Sequence, residues 1–334
     1  MSKLKNAADA FVSDYLRGLA VAHRDLLAVD VDQRVISRRR PAPAGQVGVI
    51  SGGGSGCEPL HSGLVGPGGL DAACVGAVFG SPVPDRILDT AALADHGSGV
   101  VQVVTNYPGE IMNFEMAAEL AADEQGTTVR TVIVGDDVAL SSDADGPGRR
   151  GLGATVVACR VAGAAAAEGR DLEAVRDATQ RVADRAGSYG IGVSSCTPPH
   201  RDRPIFDLPP GEVELGIGLS GEAGQQRAPL PAARDLAATM VEHVLADLRP
   251  TPGQPVLAML SGMGATPWNE LHLLFGEVAA ALDHAGVDMA RCHVGDTLTS
   301  LDQGGAALTL VELDDDLLSL WDAPIHTPVF RWRV

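Results

Sequence analysis

Positive charge is in short supply in this chain: 25 Lys and Arg stand against 43 Asp and Glu, a formal net charge of −18. A nucleic-acid binder needs a basic surface to displace counterions from phosphates, and none is evident. The same imbalance argues against docking on an anionic membrane, and the acidity reads as a solubility feature. Long apolar runs are missing too. The Ala-rich stretch from Thr155 to Ala167 comes nearest, but it contains Arg160 and ends at Glu168, short of a membrane-spanning helix. Residues 1–10 are polar and of mixed charge, unlike a signal peptide. Cysteine is sparse and unpatterned: Cys57, Cys74, Cys159, Cys196 and Cys292 are odd in number and form no C-x-x-C pair. That argues against a zinc cluster and suits a reducing compartment, so the cytoplasm is the expected location. The histidines show no metal-ligand spacing, and no metal site is expected.

Glycine, by contrast, is abundant, with 40 residues, several of them clustered as Gly52-Gly53-Gly54 and Gly66-Pro67-Gly68-Gly69. Such clusters mark tight turns and places where a ligand approaches the backbone closely. The 334 residues exceed what one hydrophobic core usually spans, which predicts two domains. Residues 46–50 form a short apolar run that leads into a glycine loop, the pattern of a buried strand. Further strands are expected at Val100–Thr105 and Thr128–Val134, with a loop at Asn106-Tyr107-Pro108-Gly109 and helices at Glu115–Ala122, Val156–Glu168 and Leu172–Ala186. Strands alternating with helices imply an α/β sheet covered on both faces.

Beyond residue 187, strands are expected at Val193–Thr197, Glu212–Ile217, Pro255–Leu260 and Ala307–Leu313. Helices are expected at Ala232–Leu248, with Pro231 in the first turn, and at Asn269–Ala285. The Pro-rich, charged residues 198–210 read as a surface loop. The domains are expected to be 1–187, carrying the glycine-rich loop, and 188–334.

The sequence Gly52-Gly53-Gly54-Ser55-Gly56-Cys57-Glu58-Pro59 offers consecutive backbone N–H groups that can cradle an anion or sugar oxygens. It is neither G-x-G-x-x-G nor a P-loop, because the P-loop Lys is missing. The context narrows the reading. VFGSPVPD (Val78–Asp85), NYPGEIMNFEMAAELA (Asn106–Ala121), GRRGLGATVVACRVAGAAAAEG (Gly148–Gly169), GIGLSGEAG (Gly216–Gly224) and TSLDQGGAALTL (Thr299–Leu310) follow in one order. This series resembles the substrate-binding K subunit of dihydroxyacetone kinases from about residue 15 onward. The resemblance implies two α/β domains with a ligand cleft between them, and a homodimer. A short ketose is held in that cleft as a hemiaminal by a histidine, while a second histidine and an aspartate handle the proton. No nucleotide cofactor is then expected on this chain. ATP and magnesium are carried by a separate L-type partner acting in trans.

Four positions depart from that pattern. Ser220 stands where the covalent histidine is expected, Cys57 where the second histidine is, Glu110 in place of the aspartate, and Thr105 in place of a lysine. Gly53, Gly54, Ser55 and Gly56 keep the backbone cradle, and Ser81 stands at the family's substrate-facing serine. Thr105, with these five, is expected to contact substrate. Glu110, Cys57, Ser220 and His61 are the candidates for catalysis. Each also has a plainer reading. Cys57 is either a small space-filler or a thiolate nucleophile. Ser220 is either a nucleophile or a simple hydrogen-bonder, and a serine without an activating base is a poor nucleophile. His61, four residues beyond Cys57, is either a general base or a core residue.

Three functions follow. The first is a kinase subunit that binds a small ketose, polyol or related metabolite without the covalent tether, with Glu110 accepting the proton of the attacking hydroxyl. Phosphoryl transfer depends mainly on positioning, so the tether is dispensable in principle. The second is a non-catalytic ligand sensor or regulator. The third is a non-kinase enzyme, isomerase- or lyase-like, using acid–base chemistry on the same scaffold.

Overall fold

A computed structural model describes residues 3–140 and 148–334. The first half opens with α1 (Phe11–Ala22) and the hairpin of β1 (Leu27–Asp30) and β2 (Val35–Arg38). Then come β3 (Gly48–Ser55), β4 (Ala72–Val78), α2 (Pro84–Ala94), β5 (Val100–Thr105), α3 (Pro108–Leu120), β6 (Val129–Val134), α4 (Ala154–Ala167) and α5 (Leu172–Asp184). The six strands form one sheet in the order β1-β2-β4-β3-β5-β6, with β4, β3, β5 and β6 parallel. β3 and β5 are small or apolar apart from a few buried polar residues such as Gln102, because both faces of a parallel sheet are covered.

The chain enters a second sheet at β7 (Ala186–Gly192). It continues through β8 (Glu212–Leu215), β9 (Gln226–Pro229), α6 (Ala233–Leu248), β10 (Val256–Gly262), α7 (Trp268–His284), β11 (Met289–Gly295) and β12 (Gly305–Glu312). The order here is β11-β10-β12-β7-β8-β9, mostly antiparallel. A short helix, α8 (Asp315–Asp322), and a hairpin of β13 (Ile325–His326) and β14 (Arg331–Trp332) finish the chain and return to the first half.

The two halves share α4. Every one of its residues from Ala154 to Ala166 is buried, and it packs with Val101 and Val132 of the first sheet and with Leu257, Met259 and Ala307 of the second. Its run of Ala and Val is what a helix between two sheets requires, since larger side chains would hold the layers apart. Asp136, at the end of β6, accepts from the backbone N–H groups of Leu152 (2.6 Å) and Ala154 (2.9 Å), satisfying orphan donors at the start of α4. It also accepts from the Ser188 hydroxyl on β7, so one carboxylate ties the helix start to both sheets.

Three local expectations change. Residues 193–197 form no strand; the strand lies earlier, at Ala186–Gly192, where Gly187, Gly190 and Gly192 look like turn residues in the sequence. They sit in the sheet because neighbouring chains pass closely: a Cβ at Gly190 would come within 2.5 Å of the Ile217 carbonyl oxygen. Pro231 precedes α6 rather than entering its first turn, since Ala232 takes the capping position. Pro108 and Gly109 belong to α3 and not to a loop. Pro108 occupies the first helical position, where its missing N–H costs nothing, and this puts Glu110 in the first turn.

Candidate functional site

Where β3 and β5 end, the structure has a cleft lined by both halves. Gly53, Gly54, Cys57, His61, Thr105 and Glu110 come from the first half, and Leu219 and Ser220 from the second. Leu60, Phe79 and Tyr107 complete the wall. The free space is about 20 Å³, and a single water needs roughly 10–15 Å³ on the same measure. In this conformation the cleft is nearly closed.

The glycine loop is held from behind. Leu301 N–H donates to the Gly56 carbonyl (2.7 Å), Thr299 N–H to Cys57 (3.1 Å), and the Thr299 hydroxyl to Glu58 (2.7 Å). Gly53 is required by close approach: a Cβ there would stand 2.7 Å from His61 Nε2. Ser51 Oγ donates its one proton to the Val103 carbonyl (2.6 Å). Its 2.7 Å contact with His61 Nδ1 must therefore be donated by the imidazole. This assigns the proton to Nδ1 and leaves the Nε2 lone pair on the side of Gly53. Burial pushes the His61 pKa down to about 3, so the ring is neutral and a weak base.

Glu110 is the carboxylate of the cleft. Burial raises its pKa above the ordinary glutamate value, while its own amide and that of Gly54 pull the other way. Of the two titratable groups that could take a proton, Glu110 is the stronger base at neutral pH, because the His61 value lies far below. Cys57 is not a thiolate. Burial and the nearby Glu58, Glu222 and Glu110 carboxylates raise its pKa well above the usual thiol value, and its Sγ donates to the Leu219 carbonyl at 3.5 Å.

Ser220 arrives from the second half on a loop that is braced rather than activated. Its backbone N–H donates to Glu222 (2.7 Å). Glu222 also accepts from Tyr107 Oη (3.1 Å) and Arg150 (3.1 Å), and Tyr107 Oη in turn accepts from Leu219 N–H (3.2 Å). Arg150 reaches on to buried Asp137 (2.7 Å) and to the Gly216 carbonyl (2.9 Å). No base stands against the Ser220 hydroxyl among the described residues, so the nucleophile reading loses its chemical support.

The expected substrate contacts divide. Gly53, Gly54 and Thr105 line the cleft; Ser55, Gly56 and Ser81 do not. Ser55 Oγ donates to the Gly76 carbonyl (2.9 Å), and Gly56 N–H to Glu58 (2.8 Å). Both residues face a separate cavity beside Tyr15. Ser81 Oγ donates to the Pro82 carbonyl (3.2 Å) and accepts from Asn113 (3.2 Å). Phe79 and Tyr107 also line the cleft, beyond the residues the sequence points to. Phe79 holds a left-handed backbone (φ 56°) and donates its N–H to Ser55 (2.8 Å). Its place after a strand in VFGSP, in a chain only 4% aromatic, was the available signal. Among the described residues no group of three or more His, Cys, Asp or Glu is arranged to hold a metal ion, and no helix is long and apolar enough to cross a membrane.

Residues 17–329 match the model of the Dak1 domain. The chain is 40% identical over 316 residues to the dihydroxyacetone-binding subunit of a PTS-dependent dihydroxyacetone kinase from Listeria innocua, covering 95% of each. It is 36% identical to the corresponding subunit of the PEP-dependent enzyme of Escherichia coli, covering 99% of each. Among solved structures it superposes on a dihydroxyacetone kinase operon co-activator with a TM-score of 0.91 at 25% identity, covering 98% of this chain and 99% of that one. It also superposes on the dihydroxyacetone kinase of C. freundii with a TM-score of 0.90 at 30% identity, covering 99% of this chain and 60% of that one. With two mixed α/β sheets, a glycine loop closing on a shared cleft and these likenesses along its whole length, the chain belongs to the Dak1 family, as a member similar to the K subunits of dihydroxyacetone kinases.

Proposed function

We propose that this chain is the substrate-binding subunit of a dihydroxyacetone kinase-like phosphotransferase. It holds a small ketose, polyol or related metabolite by hydrogen bonds alone, and an L-type partner in trans brings the phosphate donor. Residues 1–187 supply the glycine cradle and the base, residues 188–334 supply the closing loop, and the working form is a homodimer in the cytoplasm. The observation that carries this reading is Glu110: a half-buried carboxylate with raised proton affinity at the lip of the cradle, facing a serine that has no base. Glu110 takes the proton of the attacking hydroxyl. Neutral His61 accepts a hydrogen bond at Nε2, and the Gly53–Gly54 backbone and Thr105 orient the ligand. The cleft has room for about one water, so a three- or four-carbon ligand enters only when the Leu219–Ser220 loop or Phe79 gives way. The subunit relatives carry PTS- or PEP-dependent in their names, which supports a donor that reaches the ketone through another protein.

The test is to offer the purified chain small ketoses and polyols with and without an L-type subunit and ATP–magnesium. Product that forms only with the partner is expected. Turnover without any donor would instead identify a non-kinase enzyme. Borohydride trapping with dihydroxyacetone should leave the intact mass unchanged, and a stable adduct would overturn the untethered reading. A second reading, a ligand sensor, draws on the likeness to the operon co-activator. It predicts ligand binding with no phosphorylation whatever partner is supplied.

A further inference from the structure

A second cavity, of about 620 Å³, lies at the opposite end of the first sheet, between the end of β2 and the β13–β14 hairpin. Its wall carries Arg38, Arg40, Arg331, His23 and His326, with Asp25 as the lone acid. This is unexpected in a chain of net charge −18. Many arginines of the protein are neutralised by carboxylates: Arg149 by Asp247, Arg150 by Asp137, Arg170 by Asp316, Arg291 by Asp322. In the cavity, Arg38 is matched by buried Asp71 at 2.7 Å, yet its Nε has no partner. Arg40 and Arg331 make no ion pair or side-chain hydrogen bond among the described residues, although 43 carboxylates were available to the chain.

We propose that this cavity binds a small anion bearing phosphate or clustered carboxylate groups, clamped between Arg40 and Arg331. Arg40 and Arg331 are exposed and both line this one concavity, where an anion would meet positive charge with no carboxylate partner, and the planar fork of arginine suits phosphate and carboxylate oxygens. The volume is in the range of small-ligand pockets, which favours a metabolite over an acidic peptide. The site is distinct from the cleft but touches the same loop. Val329 and His326, both in its wall, donate backbone N–H groups to Gly63 (3.3 Å) and Pro67 (2.9 Å), and Leu64 N–H donates to the His61 carbonyl (3.0 Å). An anion that pins the hairpin to β2 therefore presses on the segment that runs on from His61.

Titration calorimetry with inorganic pyrophosphate at low salt tests the site. Saturable binding is expected, weakened by about tenfold or more in an Arg40→Ala/Arg331→Ala double variant of unchanged melting temperature. Binding should tighten in Asp25→Asn and be unaffected by Glu110→Gln, which separates this site from the cleft. Absence of binding up to roughly 10 mM, equal binding by the double variant, or loss of binding in Glu110→Gln would each overturn the proposal. Binding of an acidic peptide but not of pyrophosphate would overturn it in favour of a protein partner.

Discussion

The two walls of the cleft are built by opposite means. The wall from the first half carries the titratable groups. It offers a backbone cradle, a neutral imidazole with an assigned lone pair and a carboxylate of raised proton affinity. The wall from the second half is mechanical. Leu219 and Ser220 present no activated group, yet their loop is tied down by Tyr107, Glu222, Arg150 and Asp137. The network holds the loop in place while Ser220 has no base against its hydroxyl among the described residues, so this loop is positioned without being activated. The contrast also places the titratable groups of the cleft on the first-half side.

The comparison is broken most severely at the brace. Arg150→Ala strands the buried Asp137 carboxylate, and unfolding in urea should show a loss of about 3–5 kcal/mol at neutral pH. Burial already raises Asp137 to about 6, above its ordinary value, chiefly by desolvation and against the pull of Arg150. The stability that goes with neutral Asp137 is full below its unfolded value and is lost as pH rises through about 6. The variant should accordingly recover part of its deficit in acid.

On the reactive wall, Glu110→Gln should cut partner-dependent turnover by about 10²-fold with the fold intact. Unchanged turnover would move the base elsewhere. Because the folded site disfavours the ionised carboxylate, protonated Glu110 contributes stability that is present in acid and lost as pH rises through its raised value. Glu110→Gln should thus melt no lower than the parent at neutral pH, and wild-type turnover should climb with pH through a value above the usual glutamate range. A Gly53→Ala side chain would press on His61 Nε2, costing about 1–3 kcal/mol in stability and weakening ligand binding by calorimetry. The smallest effect belongs to the mechanical wall. Ser220→Ala should change turnover by no more than about threefold, the scale of ~0.5 kcal/mol. A far larger loss would give Ser220 a chemical role after all.

Much of this was legible in the chain. β5, β6, α4, α5 and α7 lie within a residue or two of where apolar periodicity and composition place them. What misled were residues whose meaning depends on neighbours distant in sequence. The strand expected at 193–197 lies instead at β7, because sequence does not show that Ile217 packs against Gly190 and Gly192. Ser55 and Ser81 look like ligand contacts until Gly76, Pro82 and Asn113 take up their hydroxyls. α1 and β4 carry local signals of their own, an amphipathic pattern in FVSDYLRGLAVA and an apolar run in AACVGAV.

The sequence by itself determined the family and the alternation that builds α/β sheets, since those reside in residue identity and short-range pattern. Only the tertiary structure decided which groups are acid and which are base. Whether Cys57 is a thiol, His61 neutral and Glu110 raised in proton affinity depends on burial and on partners from other strands. Proton affinity is set by the surroundings a side chain meets after folding, and the order of residues along the chain does not contain them.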